Sequence, residues 1–108
     1  MLLERLVHDL SKMEGVFGSI AVTDDGSIVA SSGVSEEDGA LISFIGATSK
    51  ELKKALNLTE KKIRTEISGE DYKIYVVSTE NNYIGVFMEK NLPISDLKLE
   101  IDDVLEEL

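Results

Sequence analysis

The sequence predicts a domain of the α/β (α+β) class: one five-stranded antiparallel sheet covered on both faces by helices, a three-layer α/β/α arrangement. Three observations carry this. Apolar residues recur at helical spacing in three segments, the first, a middle one and the last. Between them lie five short runs rich in β-branched and aromatic residues. The strands at 61–89 are separated by turns too short for anything but an antiparallel meander. The predicted order is α-β-β-α-β-β-β-α, with the first and last helices on one face and the middle helix on the other.

Residues 2–13 place Leu2, Leu3, Leu6, Val7, Leu10 and Met13 on one side of an amphipathic helix, with Glu4, Arg5, Asp9 and Lys12 on the other. Gly15 ends it. "VFGSIAVT" (16–23) and "SIVAS" (27–31) read as strands joined through Asp24, Asp25 and Gly26, since Asp-Gly between apolar runs is a strong hairpin signal. The paired carboxylates invite a calcium-loop reading. With Gly26 as the sixth position of such a loop, however, Ala21 stands first and Ser32 last, and neither supplies the required carboxylate. The stretch reads as a corner, with no metal expected.

The longest helical segment is 36–58, with Ser35 as N-cap and Glu36, Glu37 and Asp38 near the positive end of its dipole. On a helical wheel Leu41, Phe44, Ile45, Thr48, Leu52, Ala55 and Leu56 form one broad stripe, expected to face the core. Gly39, Ser43, Gly46, Ala47 and Lys50 fall roughly opposite, and all but the last are small. Glycine in a helix interior costs about 1 kcal/mol against alanine, so small residues on an outward face suggest that another backbone comes close there. "KKIRTEIS" (61–68) alternates Ile63, Thr65 and Ile67 with Lys62, Arg64 and Glu66, as a half-buried or edge strand does. "DYKIYVVST" (71–79) and "YIGVFME" (83–89) are apolar on both faces and must be covered on both. After Pro93, the spacing of Ile94, Leu97, Ile101, Val104, Leu105 and Leu108 predicts a last helix, capped near Ser95.

The 108 residues suffice for one domain, 1–108, and 43% are hydrophobic, enough for a core. The absence of cysteine excludes thiolate catalysis and zinc-thiolate sites. His8 is the only histidine and is expected at the surface. Neither a nucleophile elbow nor a phosphate loop occurs, and consecutive acids such as Glu36–Glu37 and Asp102–Asp103 point about 100° apart on a helix rather than converging. A formal charge of −10 argues against nucleic acid as partner. Lys50, Lys53, Lys54, Lys61, Lys62 and Arg64 hold six of the eleven basic residues, but no aromatics interleave with them and the chain's charge is −10, so a phosphate-binding role is not expected of them. No apolar run reaches the roughly 20 residues of a membrane span, and the charged N-terminal segment does not read as a signal peptide. A soluble, cytoplasmic protein without membrane insertion is expected. A domain without a visible active site, carrying a small-residue helix face and a charged edge strand, has the profile of an interaction module.

Taken together, the element order, "GVFGSIAVTDDGSIVASSG" (15–33), the long middle helix and "NNYIGVFMEKNLPISDLKLEIDDVL" (81–105) resemble the roadblock family of dynein light chains and their prokaryotic relatives. The resemblance covers nearly the whole chain. It implies a sheet in the order 2-1-5-4-3 and a homodimer or a pair with a paralogous roadblock domain. It also implies regulation or scaffolding of Ras-like small GTPases, in some bacterial relatives as a GTPase-activating partner. It brings no catalytic residue and no cofactor. Longin and profilin-like domains share related architectures, and a small-molecule sensor is the alternative function.

Two surfaces are expected to carry the interaction. Self-pairing of the 61–68 strand centred on Thr65 sets Arg64 opposite Glu66 of a second copy, with Lys62 on the same edge. The middle helices then lie side by side, and Gly39, Ser43, Gly46 and Ala47, with Lys50 at the margin, form a platform for the GTPase.

Overall fold

The computed structural model describes residues 2–107. Its elements run α1 (Leu2–Ser11), β1 (Val16–Thr23), β2 (Ile28–Ser32), α2 (Glu36–Ala55), β3 (Ile63–Ser68), β4 (Tyr72–Ser78), β5 (Asn82–Glu89) and α3 (Ser95–Glu107). The expected element order holds, and the sheet is antiparallel in the order β2-β1-β5-β4-β3. The end of the predicted last helix, Leu108, lies outside the described residues.

Each face of the sheet has its own core. Leu3, Leu6, Val7 and Leu10 of α1 join Leu97 and Ile101 of α3 over Tyr75, Val77, Ile84, Val86 and Met88. On the other face Ile42 and Ile45 of α2 cover Ile20, Val22, Ile74, Val76, Tyr83 and Phe87. The central strands β4 and β5 are buried on both sides, as their unbroken apolar runs require. Buried Ser19 is satisfied by donating to the Val7 carbonyl at 2.6 Å, which fastens α1 to β1.

The hairpin corner turns through Gly26, at φ +94°. Gly26 N–H donates to the Thr23 carbonyl at 3.0 Å and Thr23 N–H to the Ser27 carbonyl at 2.8 Å, a tight turn followed by a glycine bulge. The Asp25 carboxylate accepts from the Thr23 hydroxyl and from Ser27 N–H, so it is engaged within the turn itself. At the start of α2, Ser35 N–H donates to the Asp38 carboxylate at 2.9 Å.

Helix α2 stops at Ala55 rather than 58. Asn57 takes a left-handed φ of 56°, and Asn57 and Leu58 return their N–H groups to the Lys54 and Lys53 carbonyls at 3.2 and 3.0 Å. This Schellman-type cap satisfies the last turn and swings Leu58 back toward the sheet.

Candidate interaction surface

Two faces of α2 decide what the molecule offers a partner, and they are the reverse of the wheel assignment. Gly39, Ile42, Ile45, Gly46 and Ser49 are buried. A Cβ on Gly46 would stand 2.5 Å from the Tyr83 ring, and a Cβ on Gly39 would stand 3.1 Å from Ile28. Reciprocally, Ile42 fills the space above Gly85, where a Cβ would meet it at 2.5 Å. The glycines therefore bring α2 down onto its own sheet. Gly39 and Gly46 are spent inside the domain, and of the expected platform only Ala47 is exposed; Ser43, whose hydroxyl is buried, and Lys50 are partly buried.

The stripe expected in the core faces solvent instead. Phe44 is 69% exposed, Leu52 55% and Leu41 40%, with Ala40, Ala47, Thr48 and Ala55 exposed among them. Of the wheel's stripe only Ile45 is buried. A row of large apolar side chains left in water along one helix marks a surface made to be covered. The sequence did carry a signal for this: Ile42, a fully apolar residue, sits between Gly39 and Gly46 on the small-residue side.

The neighbouring element is β3, which closes one end of the sheet and has no strand on its outer side among the described residues. Ser49 on the buried face of α2 hydrogen-bonds Thr65 of β3 at 2.5 Å, so Thr65 and, by alternation, Ile63 and Ile67 share the α2 face. Ile67 is 45% exposed. On the opposite face Arg64 grips both oxygens of Asp102 on α3 at 2.9 Å, with Lys62 at 3.7 Å from the same carboxylate. Glu66 pairs with Lys73 of β4 at 3.2 Å. The edge charges expected to meet a second copy thus already have partners in their own chain.

Lys50 donates from Nζ to the Glu80 carbonyl at 2.9 Å, and its ammonium lies 5.1 Å from the centre of the Tyr83 ring. Across α2 and β3 the described residues thus present an open strand edge beside an exposed apolar helix face. No group of three or more His, Cys, Asp or Glu side chains fit to hold a metal occurs among the described residues.

Solved structures match this architecture over nearly its whole length. MglB of Myxococcus xanthus superposes with a TM-score of 0.81 at 15% identity, covering 98% of this chain and 84% of that one. This chain has the roadblock fold. A roadblock/LC7 domain from Streptomyces avermitilis matches with a TM-score of 0.78 at 12% identity, over 96% of this chain and 92% of that one. An MglB structure with a tetrameric arrangement matches at 0.75 and 16% identity, over 96% and 82%. No protein-family model and no curated protein sequence matches the chain. The roadblock fold is thus carried here by a sequence in which few positions coincide with those structures. No helix among the described residues is long and apolar enough to cross a membrane.

Proposed function

We propose that the chain is a non-enzymatic, cytoplasmic regulator or scaffold that pairs with a second copy, or with a paralogous roadblock domain, and binds a Ras-like small GTPase. The observation that carries the reading is the exposed Leu41–Phe44–Leu52 stripe beside the open edge of β3. The resemblance of the sequence to the roadblock family supplies the partner class, and the roadblock fold supports it.

In this reading two β3 strands pair antiparallel about Thr65, continuing the sheet across both subunits. Ile63 then lies opposite Ile67 of the second copy on the α2 face, twice over, and covers side chains now half-buried and exposed. That apolar pairing favours the Thr65-centred register more than the Arg64–Glu66 charges do, because Asp102 and Lys73 compete for those charges. The two α2 helices come together on one side and present a common apolar platform, with Ala47 within it and Ser43 and Lys50 at its margin.

Any stimulation of GTP hydrolysis comes from reordering the GTPase's own switch loops, since Arg64 is held by Asp102 and nothing poises Arg5 toward a nucleotide. Light scattering at tens of micromolar should report a dimer. A pull-down with GTP-loaded small GTPases should retain a partner with wild type and lose it with Ala47→Arg, whose position is exposed. A monomer by light scattering removes the pairing, and undiminished binding by Ala47→Arg removes the platform.

A further inference from the structure

We propose that the cleft where the end of α2 meets the start of β3 is a binding site for a small phosphate-bearing molecule with an apolar body. The cleft encloses about 360 Å³ and its rim carries Lys50, Lys53, Lys54 and Lys61. Four lysines lining one cleft are conspicuous in a chain of net charge −10. Only one carboxylate side chain, that of Glu80, belongs to the same wall. The site shares Lys50 with the margin of the proposed platform and Ile63 with the proposed β3 seam, and its binding of a small molecule is read without a GTPase present.

Lysines at a helix end ordinarily serve the helix itself, by bonding its last carbonyls or offsetting its dipole. Here the Asn57 and Leu58 N–H groups already bond the Lys54 and Lys53 carbonyls. Lys53 and Lys61 have no ion-pair partner among the described residues, and Lys54 meets only Glu51, at 3.5 Å on the open surface. Lys50 is fixed in place by the Glu80 carbonyl and the Tyr83 ring. The floor is different in character: Leu58, 41% exposed, and half-buried Ile63 leave apolar surface uncovered between the charges.

A second observation points to a ligand. Ser78 forms part of the wall, is 2% exposed, and its hydroxyl has no hydrogen-bond partner among the described residues. A buried donor without an acceptor is unfavourable, and an acceptor brought into the cleft removes that cost. Lysine recognises phosphate as a point charge, without the fixed fork of arginine, so several lysines around one dianion suit a phosphate monoester. The Leu58–Ile63 floor takes the apolar group that the phosphate carries, and the volume falls within the range of small-molecule sites, about 300–1,000 Å³.

The test is an amide chemical-shift titration of the full chain with phenyl phosphate, set beside inorganic phosphate, phenylacetate and sodium chloride at matched ionic strength. The expected result is saturable shifts confined to 50–63 and 78–80 with phenyl phosphate, and clearly weaker binding of inorganic phosphate and of phenylacetate. The pair Lys53→Gln and Lys61→Gln, both away from the core, should weaken phenyl phosphate roughly tenfold by loss of two charged contacts while the melting temperature holds. Ser78→Ala should weaken it less, without loss of stability. Shifts that sodium chloride reproduces, or a double lysine variant that binds as wild type does, overturn the site. Saturation of the same residues by a polyglutamate peptide with no response to phenyl phosphate also overturns it and assigns the cleft to an acidic protein segment.

Discussion

At position 46 a missing side chain decides how near α2 comes to the sheet. Gly46→Ala would put a methyl group 2.5 Å from the Tyr83 ring, and the helix must lift or the ring must turn. Overpacking of this kind costs about 1–3 kcal/mol, read as a lower urea midpoint with an unchanged slope. Asp25 offers a pH test at the same scale. Hydrogen bonds first from the Thr23 hydroxyl and then from Ser27 N–H hold its carboxyl below the ordinary value of 3.8. A carboxyl lowered in the folded state favours folding above its unfolded value and loses that contribution as pH falls through the folded one. The stability difference between wild type and Asp25→Asn, followed by denaturant titration, should therefore shift against wild type as pH falls below about 4. A constant difference down to acid pH would show that the turn makes no use of the charge.

The element that matters most is α2, whose two apolar faces answer to different neighbours. Ile42→Asp places a carboxylate between helix and sheet with no partner, and we expect a loss of roughly 3 kcal/mol or more in urea unfolding. Phe44→Asp, at a side chain 69% exposed, should leave monomer stability within about 0.5 kcal/mol but abolish retention of a GTP-loaded GTPase in the pull-down. If both variants lose the same stability, the outward face is a core face. On the far side of the sheet, the Arg64–Asp102 clasp joins the edge strand β3 to α3. It is partly open to water, so Asp102→Asn should cost no more than about 1 kcal/mol in the same assay.

For the whole molecule, net charge and apolar surface set opposite terms in association. Two chains of charge −10 repel one another, and salt screens that repulsion. A dimer held by the Ile63–Ile67 pairs should therefore tighten as sodium chloride rises from about 0.02 to about 0.3 M. A dimer held chiefly by Arg64–Glu66 pairs should instead loosen. Sedimentation equilibrium across that series separates the two, and dissociation by salt would return the interface to its charges.

The sequence by itself determined the elements, their order and the three layers, because period and turn chemistry are local properties. Alternation at 61–68 marks a half-covered strand, the unbroken apolar runs at 71–79 and 83–89 mark strands covered twice, and Asp25-Gly26 marks a corner. The strand order came from the family resemblance rather than from periodicity, which does not say which strands become neighbours. Only the tertiary structure decided which way α2 turns. Its large apolar residues and its small ones lie on separate faces, and a wheel assigns burial to the bulkier. Burial depends on the surface opposite, and here that surface has a bare Gly85 filled by Ile42 and a Tyr83 ring directly against Gly46. Close approach of helix to sheet selects the small face, and the large one is left in solvent. The lysine cleft has the same origin: Lys50–Lys61 and Ser78 are far apart in the chain, and the cap at Asn57 together with the pairing of Ile63 and Ser78 joins them.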